Sequence, residues 1–283
     1  VNWKIFRSRV LLVGIAFPLL GVIILVIPHV HHLAVNLAAV GVCLLGGMEM
    51  AALFRARNIT TSSLLAPILG ASVPAGVFLE VVGVLPPGWL GIWVPAALGV
   101  ILVRAVLIRK DRNLAEVLSY SSSSFFTFLY PGFFLSWFVR LSSLPEPSLS
   151  IVFFLCLVFG NDMAAYFAGS LWGASTPLNL PVSPQKSAIG FAGGLFGSLV
   201  VVGLFLLLTP GFPRFGLPLD IVLGLSTGVT VILGDLLESG LKRSAGVKDS
   251  GIVIPARGGI LDSVDSMILT APLFYYFFTL VSR

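Results

Sequence analysis

Ala188-Ile-Gly-Phe-Ala-Gly-Gly-Leu-Phe-Gly-Ser-Leu-Val-Val-Val-Gly-Leu-Phe-Leu-Leu-Leu-Thr209 runs for 22 residues without one charged side chain. As an α-helix it makes a rod of about 33 Å, enough for a hydrocarbon core of about 30 Å. A soluble surface helix would carry a polar stripe, and this one has none. Apolar runs of similar length recur along the 283-residue chain, which is 57% hydrophobic and 10% charged, with a mean hydropathy of +1.03. Soluble domains carry about 25% charged residues. An aqueous fold could not cover its surface with so few. Short alternating strands, the mark of a membrane β-barrel, do not occur. The class expected is an all-α polytopic membrane bundle, because helices satisfy their own backbone polar groups in lipid.

About nine spans of membrane-crossing length fit the runs: Val10–Pro28, Leu33–Phe54, Ser63–Leu85, Trp89–Ile108, Val117–Leu141, Ile151–Trp172, Ala188–Thr209, Leu219–Leu241 and Gly259–Val281. Pro28-His29, Pro86-Pro87-Gly88, Pro145-Glu146-Pro147 and Pro210-Gly211 supply turn chemistry between them. The first run reads as a retained helix rather than a signal peptide, since equally apolar runs follow and no small-residue cleavage site stands out. In the fifth span, Ser121 to Ser124 and Pro131 predict a kinked or partly re-entrant helix. Residues 1–150 would then hold about five scaffold helices, and 151–283 about four that carry the site.

Lysine and arginine orient the bundle. Lys4, Arg7, Arg9, Arg55, Arg57, Arg109, Lys110, Arg112, Lys186, Lys242, Arg243, Lys248 and Arg257 fall on one side, against Arg140, Arg214 and Arg283 on the other. This bias puts the N-terminus in the cytoplasm and the C-terminus outside. The net charge of +5 is therefore a topology signal and does not point to nucleic acid. Cys43 and Cys156 lie inside apolar runs and read as packing residues.

Carboxylates carry the rest. Intramembrane acids are costly and usually serve a cavity or pathway. Asp162 lies inside the sixth span, and Asp235, Glu238, Asp249, Asp262 and Asp265 follow in the last third of the chain. Glu49 has Arg55 nearby, so an ion pair and a functional role both suit it. Asp235, Glu238, Ser239 and Lys242 fall at i, i+3, i+4 and i+7, one helix face. That face sits at a helix C-terminus, where the dipole disfavours carboxylates, so compensation must come from Lys242 and Arg243 or from a metal ion. Asp262, Asp265 and Ser266 repeat the spacing at the start of the last span. Oxygen ligands without His or Cys suit a hard cation such as magnesium, although a buried ion-pair network that only sets helix register would use the same residues. The intervening loop offers Gly246, Gly251, Gly258 and Gly259 with Lys248 and Arg257, a composition suited to phosphate. Ser183-Pro184-Gln185-Lys186-Ser187 adds one cation and two hydroxyls. Together these suggest phosphoryl or nucleotidyl transfer to a lipid. Gly169, Gly173, Gly190, Gly193, Gly194 and Gly197 read as helix-packing positions, His29, His31 and His32 as an outside turn, and Phe274 to Phe278 as an interfacial aromatic belt.

Gly234-Asp-Leu-Leu-Glu-Ser-Gly-Leu-Lys-Arg243, Gly246-Val-Lys-Asp-Ser-Gly251 and Pro255-Ala-Arg-Gly-Gly-Ile-Leu-Asp-Ser-Val-Asp-Ser266 resemble the signature of the phosphatidate cytidylyltransferases. Asn161-Asp162-Met-Ala-Ala-Tyr-Phe-Ala-Gly169 and the Ser183–Ser187 loop are similar to upstream segments of that family. The resemblance implies a nine-helix fold and the conversion of CTP and phosphatidic acid to CDP-diacylglycerol and pyrophosphate. It implies Mg2+ with a second, monovalent cation such as K+. Asp235 and Asp262 would be metal ligands, supported by Glu238 and Asp265. Lys186, Lys242, Arg243 and Lys248 would hold phosphates, while Asp249 and Ser239 orient the nucleotide or those cations. Asp162, Ser183, Gly258 and Gly259 would contact substrate. Arg257 stands where the family has His, Ser263 where it has Arg, and Ile189 where it has Glu. Arg257 is expected to bind a phosphate and to replace in part the cation missing at Ser263. Expected partners are the two substrates and membrane lipid, with a homodimer as the assembly to test and no nucleic acid. The expected location is a bacterial inner membrane with the active site facing the cytoplasm. Three other readings use the same features: a CTP-dependent lipid-alcohol kinase, a transporter, and a non-catalytic lipid-binding relative.

Overall fold

The computed structural model describes residues 19–26, 28–107, 115–254 and 258–281. The Val10–Pro28 span therefore lies largely outside the described residues, as do Lys4, Arg7, Arg9, Arg109, Lys110, Arg112, Arg257 and Arg283. Among the described residues the regular structure is helical, with only isolated bridges outside it. The chain divides into two units, residues 1–140 with 244–263 and residues 141–243 with 264–283.

The first unit contains α1 (His29–Ala56), α2 (Leu65–Val81), α3 (Leu90–Leu107), α4 (Ala115–Thr127) and α5 (Ser136–Arg140). Val30, His31 and His32 open α1 with φ of 50°, 50° and 60°, a left-handed run that breaks its axis there. Between α4 and α5 the backbone widens into a π-helix, Phe128–Phe134. Pro131 within it has no N–H to donate and crowds the preceding turn, so the regular ladder cannot continue. The kink expected in the fifth span thus takes the form of a π segment. Pro131 leaves its carbonyl to Cys43 Sγ at 3.1 Å. Gly132 lies so close to α2 that a Cβ there would come within 2.6 Å of Gly70 Cα.

The second unit contains α6 (Pro147–Trp172), α7 (Ala188–Leu208), and most of α8 (Leu217–Ala245) and α9 (Leu261–Val281). Small residues let α6 and α7 approach. A Cβ on Gly193 or Gly197 would meet the methyls of Ala168 or Ala164 at 2.4 and 2.3 Å. Gly173 and Gly190 close on Ser187, so the glycines of this region are packing positions as their spacing suggests. Asn161, fully buried, donates to Ser198 Oγ across this seam at 2.9 Å. The Phe274–Phe278 run is not simply a belt. Phe274 and Phe278, one turn apart, are buried in a cluster with Phe153, Phe205 and Phe212, and only Tyr276 is exposed. Helical periodicity splits the run between core and surface.

Six of the described helices are long and apolar enough to cross a membrane: α1, α3, α6 with its extension to Ser175, α7, α8 and α9. The apolar α2 is shorter, at 17 residues.

Candidate functional site

In the second unit the site is built on the turn before α7. Residues 176–188 fold back on themselves: Leu178 N donates to the Lys186 carbonyl at 3.0 Å, and Ala188 N to the Thr176 carbonyl at 3.0 Å. Ser187 then caps α7, its Oγ accepting from Gly190 N at 3.1 Å. Ser183 accepts from Lys186 N through its carbonyl at 3.2 Å, so Ser-Pro-Gln-Lys is a tight turn with Lys186 at its close. Its ammonium bonds to Asp235 Oδ2 on α8 and lies 5.8 Å from the Phe191 ring centroid. Ile189, a departure from the family pattern, uses its N–H on Thr176 Oγ1 at 3.2 Å and has no acid to offer.

One helical face of α8 matches the spacing argument. Ser239 Oγ lies 3.4 Å from Asp235 Oδ1, and Lys242 pairs with the fully buried Glu238 one turn away. The charge at this helix end is therefore compensated by lysine, as the dipole requires. Gly234 brings α9 into register: a Cβ there would lie 2.7 Å from the Asp265 carbonyl and 2.9 Å from Ser266 Cα. Gly234-Asp235 and Asp265-Ser266 consequently meet at one level. Asp162 is half-buried on α6 beside Asn161.

In the first unit the centre is Asp262, in the first turn of α9. Its Oδ2 accepts from Ser250 N at 2.9 Å, Ser250 Oγ at 2.9 Å and Gly259 N at 2.7 Å. Gly258 adopts φ +114°, and a Cβ there would strike Asp262 Oδ2 at 2.5 Å. Gly259 has no room for a Cβ either, with Ser250 Oγ at 2.1 Å from its ideal position. These two glycines let backbone close around a carboxylate. Arg243, Lys248 and Asp249 are exposed. Arg257 lies outside the described residues.

Glu49 is the residue for which the sequence leaves an ion pair with Arg55 and a functional role both open. Arg55, the nearby cation, donates to Ser63 Oγ at 3.0 Å. Glu49 is buried and accepts from Ser250 Oγ, Ile260 N and Leu261 N, each at 2.9 Å. Arg57 Nε likewise donates to the Ser244 carbonyl at 2.6 Å. The available signal was a lone carboxylate near the end of an apolar span, a residue that should have a buried polar partner.

Among the described residues no three His, Cys, Asp or Glu side chains gather into a metal-holding group. The donor chemistry nevertheless fits magnesium, which takes one or two carboxylates and completes its shell with water and substrate phosphate. Asp235 offers a partly exposed carboxylate, already stabilised by the cation of Lys186.

A transferase of the cytidylyltransferase family is what this arrangement and the sequence together define: the family model matches residues 7–281, and the chain belongs to that family. The phosphatidate cytidylyltransferase of Bacillus subtilis is 34% identical over 187 residues, 64% of this chain and 65% of that protein. The enzyme of the same name from Synechocystis is 44% identical over 135 residues, 47% of this chain and 44% of that protein, and that from Aquifex aeolicus 35% over 164 residues, 56% and 58%. The chain thus spans from under half to just under two thirds of the length of these relatives.

Proposed function

We propose that this protein is a CTP:phosphatidate cytidylyltransferase. An oxygen of the phosphatidic acid phosphate forms a new bond to the α-phosphorus of CTP. The bond from that phosphorus to the β-phosphate oxygen breaks, and pyrophosphate leaves with its electron pair. A phosphate monoester has a second pKa of about 6 and is largely dianionic at neutral pH, so no general base is required. The task of the protein is to bring two anions together and to neutralise the leaving group.

The observation that carries the reading is the Lys186–Asp235 pair, set by the turn before α7 and the polar face of α8. It places a cation and a metal-type carboxylate side by side, in a chain of this family. Lys186, Lys242, Arg243, Lys248 and Arg257 bind phosphate oxygens. Ser183, Ser239, Asp162 and Asp249 orient substrate, as do the backbones of Gly258 and Gly259. Mg2+, with Asp235, Glu238, Asp262 and Asp265 as the candidate ligands, would supply charge neutralisation on the triphosphate when bound, with K+ as a second cation. The nine-span arrangement, the cytoplasmic N-terminus, the outside C-terminus, the bacterial inner membrane and the cytoplasm-facing site belong to the same proposal and rest on the distribution of Lys and Arg. A homodimer is its assembly.

Purified protein in lipid-detergent micelles with CTP, Mg2+ and phosphatidic acid is expected to release pyrophosphate only when lipid is present. Release of CDP in place of pyrophosphate, or no lipid-dependent product, would overturn the assignment.

A further inference from the structure

Three segments distant in sequence converge on one buried carboxylate. Glu49 sits two turns before the end of α1, and its two oxygens take the hydrogens of Ser250 Oγ, Ile260 N and Leu261 N. Ile260 and Leu261 carry first-turn amides of α9, which have no carbonyl within the helix to receive them. A carboxylate at that end also meets the positive end of the helix dipole. Glu49 therefore caps a helix over 200 residues away, at separations of 211 and 212. The loop is shaped to receive it: a Cβ on Gly251 or Gly259 would lie 2.5 or 2.4 Å from a Glu49 oxygen. Two turns on, just past the end of α1, Arg57 holds the other end of the same loop at the Ser244 carbonyl.

The contact continues to Asp262. The Ser250 hydroxyl lies 2.9 Å from both Glu49 Oε2 and Asp262 Oδ2, so its one proton is shared between two carboxylates. Gly259 N, next to the amides held by Glu49, donates to Asp262. We infer that Glu49 is a positioning residue for transfer: through Ser250 and the α9 amides it sets the orientation of the Asp262 carboxylate, and with Arg57 it makes α1 the template of the loop. This rests on the cytidylyltransferase reading for its chemical consequence, but not for the geometry. A Gln at 49 keeps the volume yet replaces one acceptor oxygen with an NH2 donor facing N–H groups, which leaves buried donors without acceptors.

The test measures Glu49→Gln beside Glu80→Gln, which breaks a carboxylate contact to Arg140 elsewhere in the same unit. Glu49→Gln is expected to lower kcat by about tenfold or more with the KM for CTP little changed, the pattern of a lost positioning contact. It should also raise the Mg2+ concentration for half-maximal rate and speed hydrogen exchange at the Ile260 and Leu261 amides. Glu80→Gln should lower thermal stability without those three changes. Should Glu49→Gln fail to fold, Ser250→Ala removes the bridging hydroxyl and is expected to lower kcat several-fold. Wild-type kcat and exchange in Glu49→Gln, or losses matching those of Glu80→Gln, would overturn the inference. Wild-type protein that makes no CDP-diacylglycerol would overturn the assignment of function instead, and the exchange experiment would still judge the clamp.

Discussion

At the scale of single residues, the carboxylates divide by what neutralises them. Asp235 and Glu238 face lysines, whereas Asp262 and Glu49 face hydroxyl and backbone N–H groups. Asp262→Asn keeps the shape, and its remaining oxygen can still accept from Ser250 and Gly259. It is therefore expected to leave the detergent-solubilised fold intact while cutting pyrophosphate release by about a hundredfold or more, because the charge proposed for metal or substrate is gone. Unchanged turnover in that variant would remove Asp262 from the site. The proposal for Arg257 has a different basis: a guanidinium is a planar fork suited to phosphate. Arg257→Ala should lose most activity, and adding Ser263→Arg should restore part of it; steady-state rates of the single and double variants decide this. The residue types and the one-face spacing on α8 were legible from sequence. Glu49 was not, because periodicity reports which face of a helix is apolar but not which distant loop lies across it.

At the scale of elements, glycines decide where helices touch. Gly132 in the π segment faces Gly70 of α2, backbone against backbone, so Gly132→Ala must push the helices apart. That substitution is expected to cost about 1–3 kcal/mol and to lower the melting temperature in detergent. Gly203 in α7 has nothing within 4 Å of an added Cβ. Gly203→Ala should leave the melting temperature unchanged or slightly raised, as alanine favours helix by about 1 kcal/mol. Similar melting curves for the two variants would refute the packing account. Helix locations followed from apolar length, and the break at Pro131 from its missing N–H. The burial of Phe274 and Phe278 did not, since an aromatic run suits an interface and a core equally well.

At the scale of the whole molecule, the proposed sidedness of the loops rests on the uneven distribution of Lys and Arg. Single cysteines introduced at Gln185 and at Ile252, on a background lacking Cys43 and Cys156, are expected to react from the cytoplasmic side. A cysteine at His29 should react from the other. Both native thiols must be replaced, since Cys156 is only partly buried. Labelling of all three from one side would overturn the topology.

The anchoring of the signature loop to α1 also bears on the order in which the protein is made. Ser250 leaves the ribosome 201 residues after Glu49. Until then the end of α1 holds an acid with its loop donors unsynthesised. A nascent chain that stalls before α9 carries most of the apolar helices yet lacks Asp262 and the amides that Glu49 holds. Placement of α1 and completion of the clamp at its end are thus separate events, divided by the 201 residues between Glu49 and Ser250.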